Sequence, residues 1–187
     1  IRLHYAFPTG FPMDVLDVMA ERDNVCNYLD MPLQHATDSV LKAMRRGTTR
    51  AKTTALIAEI RNKMPGIALR TTLICGFPGE TLADHEELLE WIAEIRFDRL
   101  GCFTYSHEED TTAYALEDDV PAEEKRRRVD EVMSLQAEIS EEHNAAKVGQ
   151  TYNVLFDRFE DGVFIGRTEH DSPEVDNEVR VDPRENE

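Results

Sequence analysis

Between Arg70 and Thr81 the chain reads RTTLICGFPGET, and few folds accommodate that run. The apolar and β-branched residues from Leu69 to Cys75 form the pattern of a buried strand in a parallel sheet. The strand stops at Gly76, and Pro78-Gly79 makes a sharp turn. Thr81 or Asp84 can cap the helix that follows, whose apolar face is Leu88, Leu89, Ile92 and Ile95. Strand, glycine-rich turn and helix in that order place a ligand at the carboxyl end of the strand, where side chains and backbone N–H groups converge. Gly76 and Gly79 either let a ligand approach the backbone or only shape the turn.

Further strands and helices flank this unit, with no internal sequence repeat. Ile1 to Tyr5 is a short strand, and Met13 to Glu21 is a helix with Val15, Leu16 and Met19 inward. Val25 to Met31 is the next strand, stopped by Pro32. A loop holding Gln34 and His35 leads to a short helix, and a second helix runs from about Arg50 to Met64. Beyond the central strand and its helix, Arg99 to Tyr105 is another apolar strand, and His107 to Asp119 is irregular and acidic. Pro121 opens a long helix to about Lys147. From Thr151 the apolar period changes to two, and Asp161-Gly162 signals a hairpin. The expected class is α/β: residues 1–119 form part of a (β/α) barrel or a doubly wound sheet, 120–150 a connecting helix and 151–187 a small β module. Polar residues on the strands, Arg2, His4, Asp30, Arg70, Thr71, Thr72 and Thr104, favour a barrel with a polar, ligand-holding centre.

The chain begins at Ile1, which suggests a piece of something longer. With a net charge of -17 it is a poor partner for phosphate backbones, and no run is apolar enough to span a bilayer. A cytoplasmic protein with no membrane contact is the expectation. The three cysteines, Cys26, Cys75 and Cys102, match no zinc or iron–sulfur spacing, so small buried hydrophobes are the expected role, with no metal site. No acid/base pair stands out as catalytic.

Five segments carry a family resemblance: LHYAFPTGFP (3–12), CNYLDMPLQHATDSVLKAMRRG (26–47), LRTTLICGFPGET (69–81), FDRLGCFTYSHEEDTTAY (97–114) and EHDSPEVDNEV (169–179). Together they resemble the radical S-adenosyl-L-methionine (SAM) methylthiotransferases, within them the branch that modifies a ribosomal protein. The sister branch that modifies tRNA shares the barrel pattern but is expected to carry Ser where His35 follows Gln34. The resemblance implies a fold: the carboxyl-terminal part of a radical SAM barrel, TIM-like but partial, then the long helix and a truncated TRAM β-barrel. It also implies parts outside these residues, namely an N-terminal domain with three cysteines and a C-x-x-x-C-x-x-C loop, which hold two 4Fe-4S clusters in the whole enzyme. The implied reaction is methylthiolation of the β-carbon of an aspartate in a small-subunit ribosomal protein, begun by a deoxyadenosyl radical.

On that resemblance this stretch is a SAM cradle. Gln34 would bond the ribose or methionine part, or else stabilise its own loop. Arg70 would meet the methionine carboxylate, or else pair internally with Asp30. Leu73, Ile74 and Gly76 would pack the adenine. Phe103 and Tyr105 would touch it, with core packing the alternative for Phe103. Residues 151–187 hold 11 Asp/Glu against 4 Arg, a net of -7. That charge suits a basic ribosomal protein as partner and no direct nucleic-acid contact. The rival readings are a tRNA methylthiotransferase and a non-catalytic acidic module docking a basic partner. The chain alone is expected to be inactive and to expose apolar strand edges where further barrel strands would pair.

Overall fold

The computed structural model describes residues 1–186. Helix α1 (Val15–Glu21) leads to strand β1 (Tyr28–Asp30), then helices α2 (Asp38–Ala43) and α3 (Arg50–Lys63). Strand β2 (Ala68–Cys75), helix α4 (Leu82–Ile95) and strand β3 (Arg99–Thr104) follow. The long helix α5 (Ala122–Ala145) connects to β4 (Leu155–Glu160), β5 (Val163–Arg167) and β6 (Val179–Val181). The first sheet is parallel in the order β1-β2-β3, and the second is antiparallel in the order β4-β5-β6.

The parallel sheet obeys a strict period of two. Leu69, Thr71, Leu73 and Cys75 of β2 are buried and alternate with half-buried Arg70, Thr72 and Ile74. The first set faces the helices, and the second faces the barrel interior together with Asp30, Arg99, Gly101 and Phe103, their register partners or next neighbours. Behind the sheet, Leu88, Trp91, Ile92 and Ile95 supply the i, i+3, i+4, i+7 stripe of α4. Trp91 is fully buried; its Nε1 donates to Thr54 Oγ1 at 2.8 Å, so the indole satisfies its one polar atom inside the core. Thr81 and Asp84 act together: Thr81 Oγ1 accepts from the Asp84 amide and Asp84 accepts from the Thr81 amide, a complete capping box.

Two expectations shift. Ile1–Tyr5 runs beside β1 but makes only one bridge, Leu3 to Leu29, because Tyr5 adopts φ 60° and throws the ladder out of step. The next bond, from the Ala6 amide, therefore skips a residue to reach the Asp30 carbonyl. In α5 the apolar stripe is half the story: Val132 and Ile139 are buried, but so are Lys125, Arg128 and Gln136. The β4–β5 hairpin forms at Asp161-Gly162, both with positive φ, as a two-residue turn of this type requires. Phe156, Phe159 and Phe164 cluster on one exposed face of it, and Leu155 is exposed as well.

Candidate functional site

The two ends of the parallel sheet differ. At the carboxyl end a cleft of about 510 Å³ opens between the loop after β1, the end of α2, the tips of β2 and β3, and the segment up to Ala113. Its lining includes Gln34, Arg46, Thr72, Ile74, Phe103 and Tyr105. Four of the seven residues expected at a cofactor site, Gln34, Ile74, Phe103 and Tyr105, thus meet in one place.

Gln34 is the most informative of them. It sits at φ 73° while its backbone bridges β2, the amide donating to the Thr72 carbonyl at 2.9 Å and the carbonyl accepting from Ile74 at 2.8 Å. A non-glycine residue held in that region is strained, and here both sides of the residue are pinned. Gln34 lines the cleft, and its Oε1 is buried without a hydrogen-bond partner. Such an atom costs about 1–3 kcal/mol unless something donates to it. Arg46 carries the complementary defect: its Nη2 donates to the Pro32 carbonyl and its guanidinium lies 4.6 Å from the Phe7 ring, but its buried Nε is unpartnered. By sequence alone Arg46 reads only as a helix-end cation.

Aromatic surface completes the cleft. Phe103 is 61% exposed, so the core-packing alternative does not describe it. Tyr105 packs edge-on against Phe77, and Lys125 Nζ lies 4.9 Å from the Tyr105 ring. A planar heteroaromatic group has faces to lie against, a buried acceptor in Gln34 and a half-buried cation in Arg46. The cleft fits an adenosyl amino acid such as SAM.

Three expected residues lie elsewhere. Leu73 is fully buried on the helix face, since the period of two that aims Ile74 at the cleft aims Leu73 away. A side chain approaches Gly76 closely: a Cβ there would come within 2.2 Å of Lys125 Cγ. Its amide donates to Glu80 Oε2. Arg70 takes the internal alternative, with Nη1 3.1 Å from Asp30 Oδ1 and Nε 3.6 Å from Asp176 Oδ1.

Those partners belong to the other end of the sheet, which is closed. The segment following β5 runs under the amino ends of the strands. Arg99 pairs with buried Asp171, Tyr28 Oη donates to Asp176 Oδ2 at 2.8 Å, Arg2 donates to the Thr168 carbonyl, and the Asn27 amide donates to Glu169. Burial would raise Asp171, but Thr168 and Arg99 outweigh it and hold the carboxyl below its usual range. Burial, then the bond to Asp176, push the Tyr28 phenol up.

The turn behind the cleft is held by Glu80, 3% exposed. Its Oε2 accepts from the Gly76 and Phe77 amides and its Oε1 from Arg128 at 2.8 Å. Burial would raise Glu80, but His35 and Arg128 outweigh it and keep it ionised. His35 therefore faces Glu80, at 3.8 Å, rather than the cleft. Neither apolar periodicity nor any motif marks these inward charges of α5; only the basic run Lys125-Arg126-Arg127-Arg128 on a helix opposite an acidic turn hints at them.

The cysteines do not suit an iron–sulfur cluster. Cys26 precedes β1 at the amino ends, Cys75 closes β2 at the carboxyl end and Cys102 lies within β3. Three thiolates converging on one cluster are not available.

Comparison with known proteins matches this architecture. Residues 1–92 match the family model described as the radical SAM superfamily, and residues 148–187 the one described as the TRAM domain. Among curated proteins, the chain is 63% identical over 182 residues to the ribosomal protein uS12 methylthiotransferase RimO of Christiangramia forsetii. That match covers 97% of this chain and 40% of the relative. It is 62% identical to the protein of that name from Cytophaga hutchinsonii, over 99% of this chain and 42% of the relative. A third, from Chlorobium luteolum, is 56% identical over 97% of this chain. The chain thus spans about two fifths of the length of these relatives. Among solved structures, coproporphyrinogen III oxidase (HemN) from Escherichia coli, described as a radical SAM enzyme, shares the fold. Its TM-score is 0.50 at 22% identity, covering 82% of this chain and 32% of that one. The parallel sheet is radical SAM barrel, the antiparallel sheet is TRAM, and the chain belongs to the RimO-type branch of the radical SAM methylthiotransferases.

Proposed function

We propose that this chain supplies the SAM cradle and part of the substrate-docking surface of an enzyme that methylthiolates an aspartate β-carbon in ribosomal protein uS12. The single observation that carries the cradle is the buried, unpartnered Oε1 of Gln34 in an aromatic-lined cleft at the carboxyl ends of the strands. Bound SAM supplies the radical chemistry, with clusters held by residues outside this chain. What these residues do is bind and orient. Gln34 accepts from a ribose hydroxyl or the ammonium group. Arg46 Nε donates to the carboxylate, the role expected of Arg70 from the sequence. Ile74, Phe103 and Tyr105 cover the adenine and exclude water. Taken without those outer parts, the chain binds but does not turn over.

Docking of a basic protein is supported at the cleft rim rather than in the β module. Residues 107–119 carry six carboxylates and no Lys or Arg, and Glu108, Glu109 and Asp110 are exposed beside the cleft. In the β module much of the acidity is already matched: Asp171 and Asp176 turn inward, and Arg158, Arg167 and Arg184 each pair with a nearby carboxylate. A Lys/Arg-rich protein loop reaching the cleft would meet uncompensated charge at Glu108 to Asp110.

Calorimetric titration with SAM and with S-adenosylhomocysteine tests the cradle. Both bind, and Gln34→Leu weakens binding about tenfold, the equivalent of one lost hydrogen bond to a buried group. Equal affinity for wild type and variant, or no binding by either, would contradict it.

A further inference from the structure

Behind the cleft, on the helix face of the sheet, lies a second constellation that the cradle does not use. Cys75, Glu80 and His85 are all buried, and one ligand-type atom from each lies within 4.8 Å of the others. Cys102 lies beside this trio rather than within it, its Sγ 3.5 Å from that of Cys75. Four elements contribute: the end of β2, the turn after it, the first turn of α4, and β3. Along the sequence these residues match no metal motif; the fold alone assembles them.

Two of the donors are oriented by groups outside the cluster. His85 is 1% exposed; its Nε2 lies 2.8 Å from Glu131 Oε2, while its Nδ1 is buried, makes no hydrogen bond and lies 3.9 Å from Glu80 Oε1. A carboxylate on one ring nitrogen fixes the tautomer that leaves the other nitrogen's lone pair free, the arrangement found around histidine ligands. Glu80 is oriented at Oε2 by two backbone amides, while its Oε1, the oxygen nearer His85, also accepts from Arg128 and would share that bond with the metal. Zinc–sulfur bonds of about 2.3 Å in a tetrahedron set sulfurs about 3.8 Å apart, near the separation of Cys75 and Cys102; the Cys102 thiol must swing toward Glu80 and His85 to complete the set. Charge balances as well, since two thiolates and one carboxylate around a divalent ion leave one negative charge, next to the Arg128 guanidinium.

We propose that Cys75, Cys102, His85 Nδ1 and Glu80 Oε1 form a zinc site that staples β2, β3 and the start of α4 behind the cleft. Binding releases the two thiol protons to solvent and involves no redox step. The site is structural: four protein donors close the tetrahedron and leave no open position for substrate.

Cobalt(II), a spectroscopic stand-in for zinc, tests the site on this chain under reducing conditions. One equivalent is expected to give thiolate-to-cobalt charge transfer and the strong visible bands of a tetrahedral ion, displaced by one equivalent of zinc. Zinc is expected to protect two of the three thiols from alkylation, leaving Cys26 reactive. Cys26→Ser retains the spectrum and Cys75→Ser loses it. Because Cys75→Ser alters the core, Glu131→Gln serves as a second variant: its side chain is 40% exposed, and metal affinity is expected to fall about tenfold with the circular dichroism unchanged. A weak octahedral spectrum in the wild type, three equally reactive thiols in zinc, or a spectrum lost with Cys26→Ser would overturn the assignment.

Discussion

The two ends of one three-stranded sheet are built on opposite principles. At the amino end Arg70, Arg99 and Tyr28 each find an acidic partner, and a segment 70 or more residues away in the chain covers them. At the carboxyl end Gln34 Oε1 and Arg46 Nε are buried and unpaired, Gln34 is strained, and Phe103 faces solvent. Unpaired polar atoms alone do not separate the two ends, since Arg2 Nε and Asn27 Oδ1 are buried and unpartnered at the closed one; an open, aromatic-lined cleft around a strained Gln34 does, and it shows where a ligand belongs. This is the division expected of (β/α) barrels, stability below and chemistry above.

Substitutions that break this division rank by how much buried charge they strand. Glu80→Ala removes the partner of Arg128 and the acceptor of two amides, so stability in urea is expected to fall by about 3–5 kcal/mol. A loss below about 1 kcal/mol would mean that the turn is held by its backbone alone. Next is Asp171→Ala at the closed end, expected to cost about 3 kcal/mol because Arg99 stays buried without its anion. Hydrogen exchange should rise over 168–178 while the cleft stays protected.

That closed end is also acid-sensitive. The carboxyl of Asp171 is depressed in the folded chain, so the unfolded chain binds its proton first as pH falls. Its contribution is complete above the ordinary Asp range near about pH 4 and disappears as pH drops through the lower, folded value. Acid titration of Asp171→Asn should therefore show a shallower loss of stability below about pH 4 than the wild type does. A smaller effect is expected from Tyr28→Phe, about 1.5 kcal/mol for one hydrogen bond to a charged acceptor that keeps Arg70 nearby. Gln34→Leu alone is expected to cost no stability and to raise that of the ligand-free chain by up to about 1–3 kcal/mol, since it deletes a buried atom that has no partner. Its cost falls on binding instead, and a large loss of stability would place Gln34 on the structural side of the comparison.

Much of the open end was legible in the sequence, because it is written in local signals. Leu69 to Thr81 declares strand, turn and capped helix within a dozen residues, and the alternation along β2 decides which side chains can meet a ligand. That same alternation excludes Leu73 from the site. The closed end was not legible, because Asp171 and Asp176 look like any residues of an acidic surface until the fold brings Arg99 and Arg70 to them. Gly76 misled for a related reason. A glycine after a strand signals close approach, but the approaching atoms belong to Lys125, far downstream on α5. Cysteine spacing along the chain likewise says nothing of Cys75 and Cys102, which become neighbours only when β2 pairs with β3.

The most direct test of this division is differential hydrogen–deuterium exchange with and without SAM. Added protection is expected at residues 34–36, 72–76 and 103–106 and none at 168–178. Protection confined to 168–178, or spread evenly over both ends of the sheet, would contradict it.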